Sequence, residues 1–133
     1  MAKFLSTIVL DAAATIIRDN AAKIAITSQA PAGSTGATAI ADVETYTLAV
    51  TTLTTGASTS FSIANSSVTG RKITISEQVS IAVAATGVAN NVVLYSSVSN
   101  VVYAYTSCST QSLSDTANKV TIPEWIIRFA EAT

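Results

Sequence analysis

Histidine is absent from this 133-residue sequence, cysteine occurs once, and only 11% of the residues are charged. Without histidine there is no Ser-His-Asp or Cys-His nucleophile system, no imidazole general base and no imidazole zinc ligand. Cys108, the single cysteine, allows no disulfide within the chain and no multi-cysteine metal site, and reads as a buried, inert thiol rather than a reactive one. The five glycines are scattered singly, so neither a GxGxxG nor a GxxxxGK-type phosphate cradle is present. Long hydrophobic runs are missing too: nothing approaches the roughly eighteen apolar residues of a membrane span. Asp11, Arg18 and Asp19 interrupt the N-terminal apolar run, which removes a signal-peptide core and makes synthesis and assembly in a cytoplasm the expectation.

Positive charge is equally sparse. The net charge is −1, and no basic cluster exceeds the pair Arg71 and Lys72. Phosphate neutralisation needs several converging cations, and a membrane-surface helix needs a basic face, so neither nucleic acid nor a membrane is an expected partner. Eight carboxylates remain, Asp11, Asp19, Asp42, Glu44, Glu77, Asp115, Glu124 and Glu131. A glycosidase needs two of them facing across a cleft, and an EF-hand needs a fixed spacing that is not found. Most fall at expected turns or element ends, where solvation explains them. No catalytic, cofactor-binding or metal-ligating residue is therefore assigned, and the chain is not expected to be an enzyme.

What the sequence does have is apolar and hydroxyl content. Hydrophobic residues make up 49%, enough to offset the entropy of ordering one domain over residues 1–133. Threonine and serine number 20 and 17 and stand in for charge. Threonine fits a half-buried pleated surface, and a polar but uncharged exterior is cheap to desolvate against a neighbour. Ordinary β-protein composition accounts for the same figures.

One helix is predicted, over residues 1–20. Phe4/Leu5, Ile8/Val9, Ala12/Ala13 and Ile16/Ile17 recur every four residues as one apolar stripe, Ser6 can cap it and Asp19-Asn20 can end it. A short strand follows at 23–27. Residues 28–41, rich in small residues with Pro31, Gly33 and Gly36, read as an extended, flexible loop. Residues 42–133 read as β. Tyr46, Leu48 and Val50 alternate with threonines, Phe61 and Ile63 with serines, and Val79, Ile81 and Val83 repeat the pattern. Ile73 and Ile75 point inward after Gly70. Val92 to Tyr95 is an apolar run fit for a central strand, joined by a hairpin-length loop to Val101 to Tyr105. A turn is expected at 114–118, and Pro123 marks an edge or a fresh strand. Trp125, Ile127 and Phe129 share a face, so Trp125 reads as a core anchor ahead of the alternative, a sugar-stacking platform with the tyrosines. The predicted class is mainly β: an antiparallel β-sandwich of about seven to nine short strands with one N-terminal α-helix.

At Val68-Thr69-Gly70-Arg71-Lys72-Ile73-Thr74-Ile75, at Ala84-Ala85-Thr86-Gly87-Val88-Ala89-Asn90-Asn91-Val92-Val93-Leu94 and at Val120-Thr121-Ile122-Pro123-Glu124-Trp125, the sequence resembles small proteins encoded among the virion genes of tailed bacteriophages. Leu10-Asp11-Ala12-Ala13, Ile16-Ile17 and Ala22-Lys23-Ile24 are similar to the start of those proteins. The resemblance implies a virion component of the capsid decoration (cement) type, partnered by the major capsid protein or other virion proteins. It supplies no catalytic residue and no cofactor. Phe4, Leu5, Ile8, Arg71 and Lys72 are the candidate contact residues, and self-association into a homo-oligomer stays open. A neck or tail ring component and a carbohydrate-binding host-attachment module using Tyr46 or Tyr103 are the alternative readings.

Overall fold

A computed structural model describes residues 5–57, 59–66 and 70–130. In chain order the elements are α1 (Thr7–Asn20), β1 (Lys23–Thr27), α2 (Ala37–Thr45), β2 (Thr47–Thr52), β3 (Phe61–Asn65), β4 (Arg71–Ile75), β5 (Gln78–Ala82), β6 (Gly87–Ser96), β7 (Val101–Leu113), β8 (Lys119–Ile122) and β9 (Trp125–Phe129). The class read from the sequence is the class found: mainly β, antiparallel throughout, with nine strands and an N-terminal helix among the described residues. The elements gather into two compact units, each assembled from separated stretches of chain. Alternation marks strands without saying which of them pair, so this grouping leaves no mark in a sequence read as one domain.

The first unit holds α1 and a three-stranded sheet in the order β3-β4-β9. Ser6 starts the helix: its Oγ accepts the Ile8 N–H at 3.2 Å, and its carbonyl accepts those of Val9 and Leu10 at 3.0 and 3.2 Å. The helix therefore begins at Thr7 rather than near residue 1. Arg18 in the last turn suits the negative end of the helix dipole, and Asn20 Nδ2 caps the Ile16 carbonyl at 2.9 Å. On the sheet, Ile75 lies opposite Phe61 and Trp125, and Ile73 opposite Ile63 and Ile127. Opposed residues share a face, and α1 packs on β3 and β4, where Phe61, Ile73 and Ile75 are buried. Trp125, Ile127 and Phe129 lie on β9 and are half-buried, so Trp125 flanks this core without being sealed in it. Gly70 has φ +106°, and a Cβ there would meet the Phe129 carbonyl oxygen at 2.1 Å, which reserves the position for glycine.

The second unit contains a four-stranded sheet, β2-β1-β6-β7, a two-stranded sheet, β5-β8, and α2. The run Val92, Val93, Leu94 and Tyr95 is buried along β6, a central strand as its composition predicts. The expected hairpin joins β6 to β7, and Asn100 takes φ 55° at its end. The expected turn after β7 closes on Asp115, whose Oδ1 accepts the Ala117 N–H at 2.8 Å.

Two expectations need correction here. Residues 28–41 are not one extended loop, because α2 occupies Ala37–Thr45. Ala39, Ile40 and Val43 are buried on one helical face, and Ile40 and Val43 join Ala25, Val93, Tyr95 and Val102 in the core, so burial against the sheet outweighs a low-complexity sequence with no side-chain cap. Val79 is not inward: β5 shifts register between Gln78 and Ile81, with Ser80 at φ 57°, and leaves it exposed.

Tyr95 is the largest fully buried side chain of the second unit. Lys23 Nζ lies 5.7 Å from its ring centroid and 3.6 Å from Glu44 Oε1. Burial, helped by the charge of Glu44, pushes the Tyr95 phenol up to about 12. The folded state thus holds this proton more tightly than the unfolded chain, whose tyrosine ionises near 10. The resulting stability is whole below that value and is lost as pH rises towards about 12. Urea midpoints should fall across this window and fall less in Tyr95→Phe; equal falls would contradict the assignment.

Candidate functional site

The surface best suited to interaction is built on α1. At 100° per residue, Leu10, Ala14 and Ile17 fall together on the face that packs against the sheet, and all three are buried. Ile8, Ala12 and Ile16, with Val9 beside them, fall on the nearly opposite face. Ile8 is 78% exposed, Val9 53% and Ile16 56%. The apolar stripe read from the sequence is thus mostly the outward face; of its described members only Ile17 is fully buried. Apolar residues span well over half the circumference of the helix, and periodicity alone does not choose between its two faces.

Polar geometry agrees with the face that is buried. Arg71, the first residue of β4, donates from Nε to Asp11 Oδ1 and from a terminal guanidinium nitrogen to Asn65 Oδ1. Asp11 lies at the flank of the buried face, so this contact is compatible with Leu10, Ala14 and Ile17 facing the sheet. The Arg71 side chain is 19% exposed and that of Asp11 41%. A pair so open to solvent contributes on the order of 0.2–1 kcal/mol, whereas burying one Leu or Ile side chain contributes about 1.5–3 kcal/mol. The apolar contacts supply most of the stability and the pair agrees with the rotation they favour.

The candidate contact residues therefore separate. Ile8 belongs to the exposed face, and Leu5 is half-buried just before the helix. Arg71 is engaged within the chain. Lys72 is half-buried on the other sheet face, between Ala64 and Arg128 on the neighbouring strands. Phe4 lies outside the described residues, as do Glu131 and the Val68-Thr69 pair. Val9 and Ile16, absent from the contact set, are large exposed members of the patch; their place in the four-residue repeat was the signal for them.

In the second unit, a cleft of about 480 Å³ lies between residues 31–34 and residues 102–105 of β7. Its walls carry no charge, and Tyr103 and Tyr105 stand along it. Tyr103 Oη lies 3.0 Å from Ser99 Oγ. A neighbouring cleft of about 240 Å³ has Asp42 as its single carboxylate, and Asp42 Oδ2 accepts the Ala32 N–H at 3.0 Å. Tyr46 lines neither cleft. Among the described residues no group of three or more cysteine or carboxylate side chains could hold a metal ion, and no helix is long and apolar enough to cross a membrane. Cys108 is half-buried on β7, and burial pushes its thiol up.

No family model, curated protein or solved structure matches the chain. Its function is therefore read from its own surfaces. These offer apolar packing on α1 and an uncharged, aromatic-edged cleft beside β7.

The two faces of α1 should respond differently to substitution. Leu10→Ala should lower unfolding stability by about 2–5 kcal/mol, whereas Ile8→Ser and Ile16→Ser should each change it by less than about 0.5 kcal/mol. Equal losses on both faces in denaturant titrations would contradict this placement.

Proposed function

We propose that this chain is a non-enzymatic structural component of a tailed-phage virion, acting as a capsid decoration protein that binds the shell and stabilises it. The observation that carries the reading is the outward face of α1, where Ile8, Val9 and Ile16 stand exposed. Each such side chain gives up about 1.5–3 kcal/mol of burial while it faces water, a gain that a partner surface recovers on contact. Within the helix the only charged residue on this face is Asp19, in the last turn and paired with Arg18, so the first turns suit an apolar groove on a neighbour. Ligands that bind an assembled lattice and not its free subunits stabilise the lattice by mass action, and many weak copies act together once each bridges two subunits. The sequence resemblance to virion proteins supports the setting, with the major capsid protein as the partner.

Purified chain added to expanded capsids should bind them and raise their Tm, and Ile8→Asp with Ile16→Asp should abolish both effects. Absence of binding to every capsid form would remove the reading. Hundreds of copies per particle fit decoration, whereas about six to twelve fit a neck or tail ring.

The cleft beside Tyr103 and Tyr105 favours a second reading, a carbohydrate-binding module for host attachment. Aromatic edges and an uncharged lining suit a sugar face better than a charged ligand. Retention of the chain on a glycan array, lost in Tyr103→Ala, would replace decoration with attachment.

A further inference from the structure

The face of the β3-β4-β9 sheet turned away from α1 carries Ser62 and Ala64 from β3, Lys72 and Thr74 from β4, and Ile126 and Arg128 from β9. Side chains alternate along a strand, so these six share one side while Phe61, Ile73 and Ile75 occupy the other. Ser62 and Arg128 are exposed and the remaining four are half-buried, so the face stays partly open to solvent.

Lys72 and Arg128 lie directly opposite one another across β4 and β9. Opposed side chains have Cβ atoms about 4.5–5.5 Å apart, and like charges placed so repel. Most other cations are treated differently: Arg18 is paired with Asp19, Lys23 with Glu44 and Arg71 with Asp11, while Lys119 stands exposed on β8. Among the described residues neither Lys72 nor Arg128 meets a carboxylate. Glu77 follows β4 and Glu124 precedes β9, both at the end of the sheet away from this pair. The chain has seven basic residues, and setting two of them against each other costs stability that its described carboxylates do not recover. A local rule broken without internal compensation marks a place where an outside group completes the arrangement.

We infer that this sheet face binds an acidic segment of a partner protein, with Lys72 and Arg128 closing on its carboxylates. A guanidinium takes a carboxylate through two parallel N–H donors, and an ammonium adds a point charge beside it. Thr74 and Ser62 offer hydroxyls next to the pair, and Ala64 and Ile126 offer apolar surface, a mixture that suits a polypeptide. A nucleic acid or a phospholipid surface is served less well. The backbone N–H groups of β4 lie in the plane of the sheet between β3 and β9, so phosphates would meet side chains alone. Two cations are few for a phosphate chain, and none of the six side chains is aromatic to stack a base. This surface lies on the side of the sheet opposite α1 and differs from the helix face in chemistry. The inference holds whether or not the chain belongs to a particle.

Titration of the isotope-labelled full chain with poly-L-glutamate, followed by amide chemical shifts, tests it. At low salt the shifts should gather on residues 72, 74, 126 and 128, and they should vanish at about 1 M salt, where screening acts within roughly 3 Å. Lys72→Gln combined with Arg128→Gln should weaken binding at least about tenfold. Neither side chain is sealed in the core, so the variants keep the fold. Without poly-L-glutamate, each single variant should melt at or above the wild-type temperature, because it removes a like-charge contact. A lower melting temperature in both single variants would show the pair satisfied within the chain and would overturn the proposal. So would an absence of shifts, shifts centred on Lys119, undiminished binding in the double variant, or tighter binding of an oligonucleotide or of anionic phospholipid vesicles at equal charge.

Discussion

The rotational setting of α1 on its sheet is the constraint on which the functional reading depends. The helix has enough apolar surface for two faces, and the sheet covers one. Leu10, Ala14 and Ile17 take the covered side, with Asp11 held by Arg71 at its flank. That choice sends Ile8, Val9 and Ile16 outward. A weak, half-solvated ion pair accompanies this setting, while the buried apolar side chains carry most of its stability.

The second unit shows the same economy of charge. Its core is closed by α2 over Tyr95, and the Lys23–Glu44 pair beside Tyr95 keeps both charged groups partly open to solvent. Towards β7 the surface is hydroxyl-rich and neutral. Hydroxyls satisfy water when the surface is free and desolvate at low cost when it is covered. A neutral edge strand gives up the usual defence against pairing. In the first unit, the α1 face and the open sheet face differ in chemistry, one apolar and the other cationic, so they suit different partners.

Much of this was legible in the residues. Ser6 as a cap, the buried run from Val92 to Tyr95, the hairpin after it and the Asp115 turn follow from local rules that the tertiary fold leaves intact. Three features were not. The buried face of α1 depends on packing against β3 and β4, more than 40 residues away in sequence, and the Arg71–Asp11 pair spans 60 residues. The helix α2 depends on the sheet beneath Ala39, Ile40 and Val43, although their spacing of one and four residues carried a faint helical signal. The outward turn of Val79 depends on a register shift at Ser80 that no alternation pattern encodes. The candidate site was half legible: the four-residue repeat named the patch, but the partner of Arg71 and the opposition of Lys72 to Arg128 both arise from contacts between distant elements.

Thiol accessibility along α1 tests the helix setting most directly. In a Cys108→Ser background, single cysteines at positions 8, 10, 14 and 16 are labelled with a maleimide in the native chain and after unfolding. The account predicts Ile8→Cys and Ile16→Cys reacting natively at close to their unfolded rates, with Leu10→Cys and Ala14→Cys strongly protected. Protection at positions 8 and 16 with rapid labelling at 10 and 14 would mean that the other face is buried, and the contact surface on α1 would not exist.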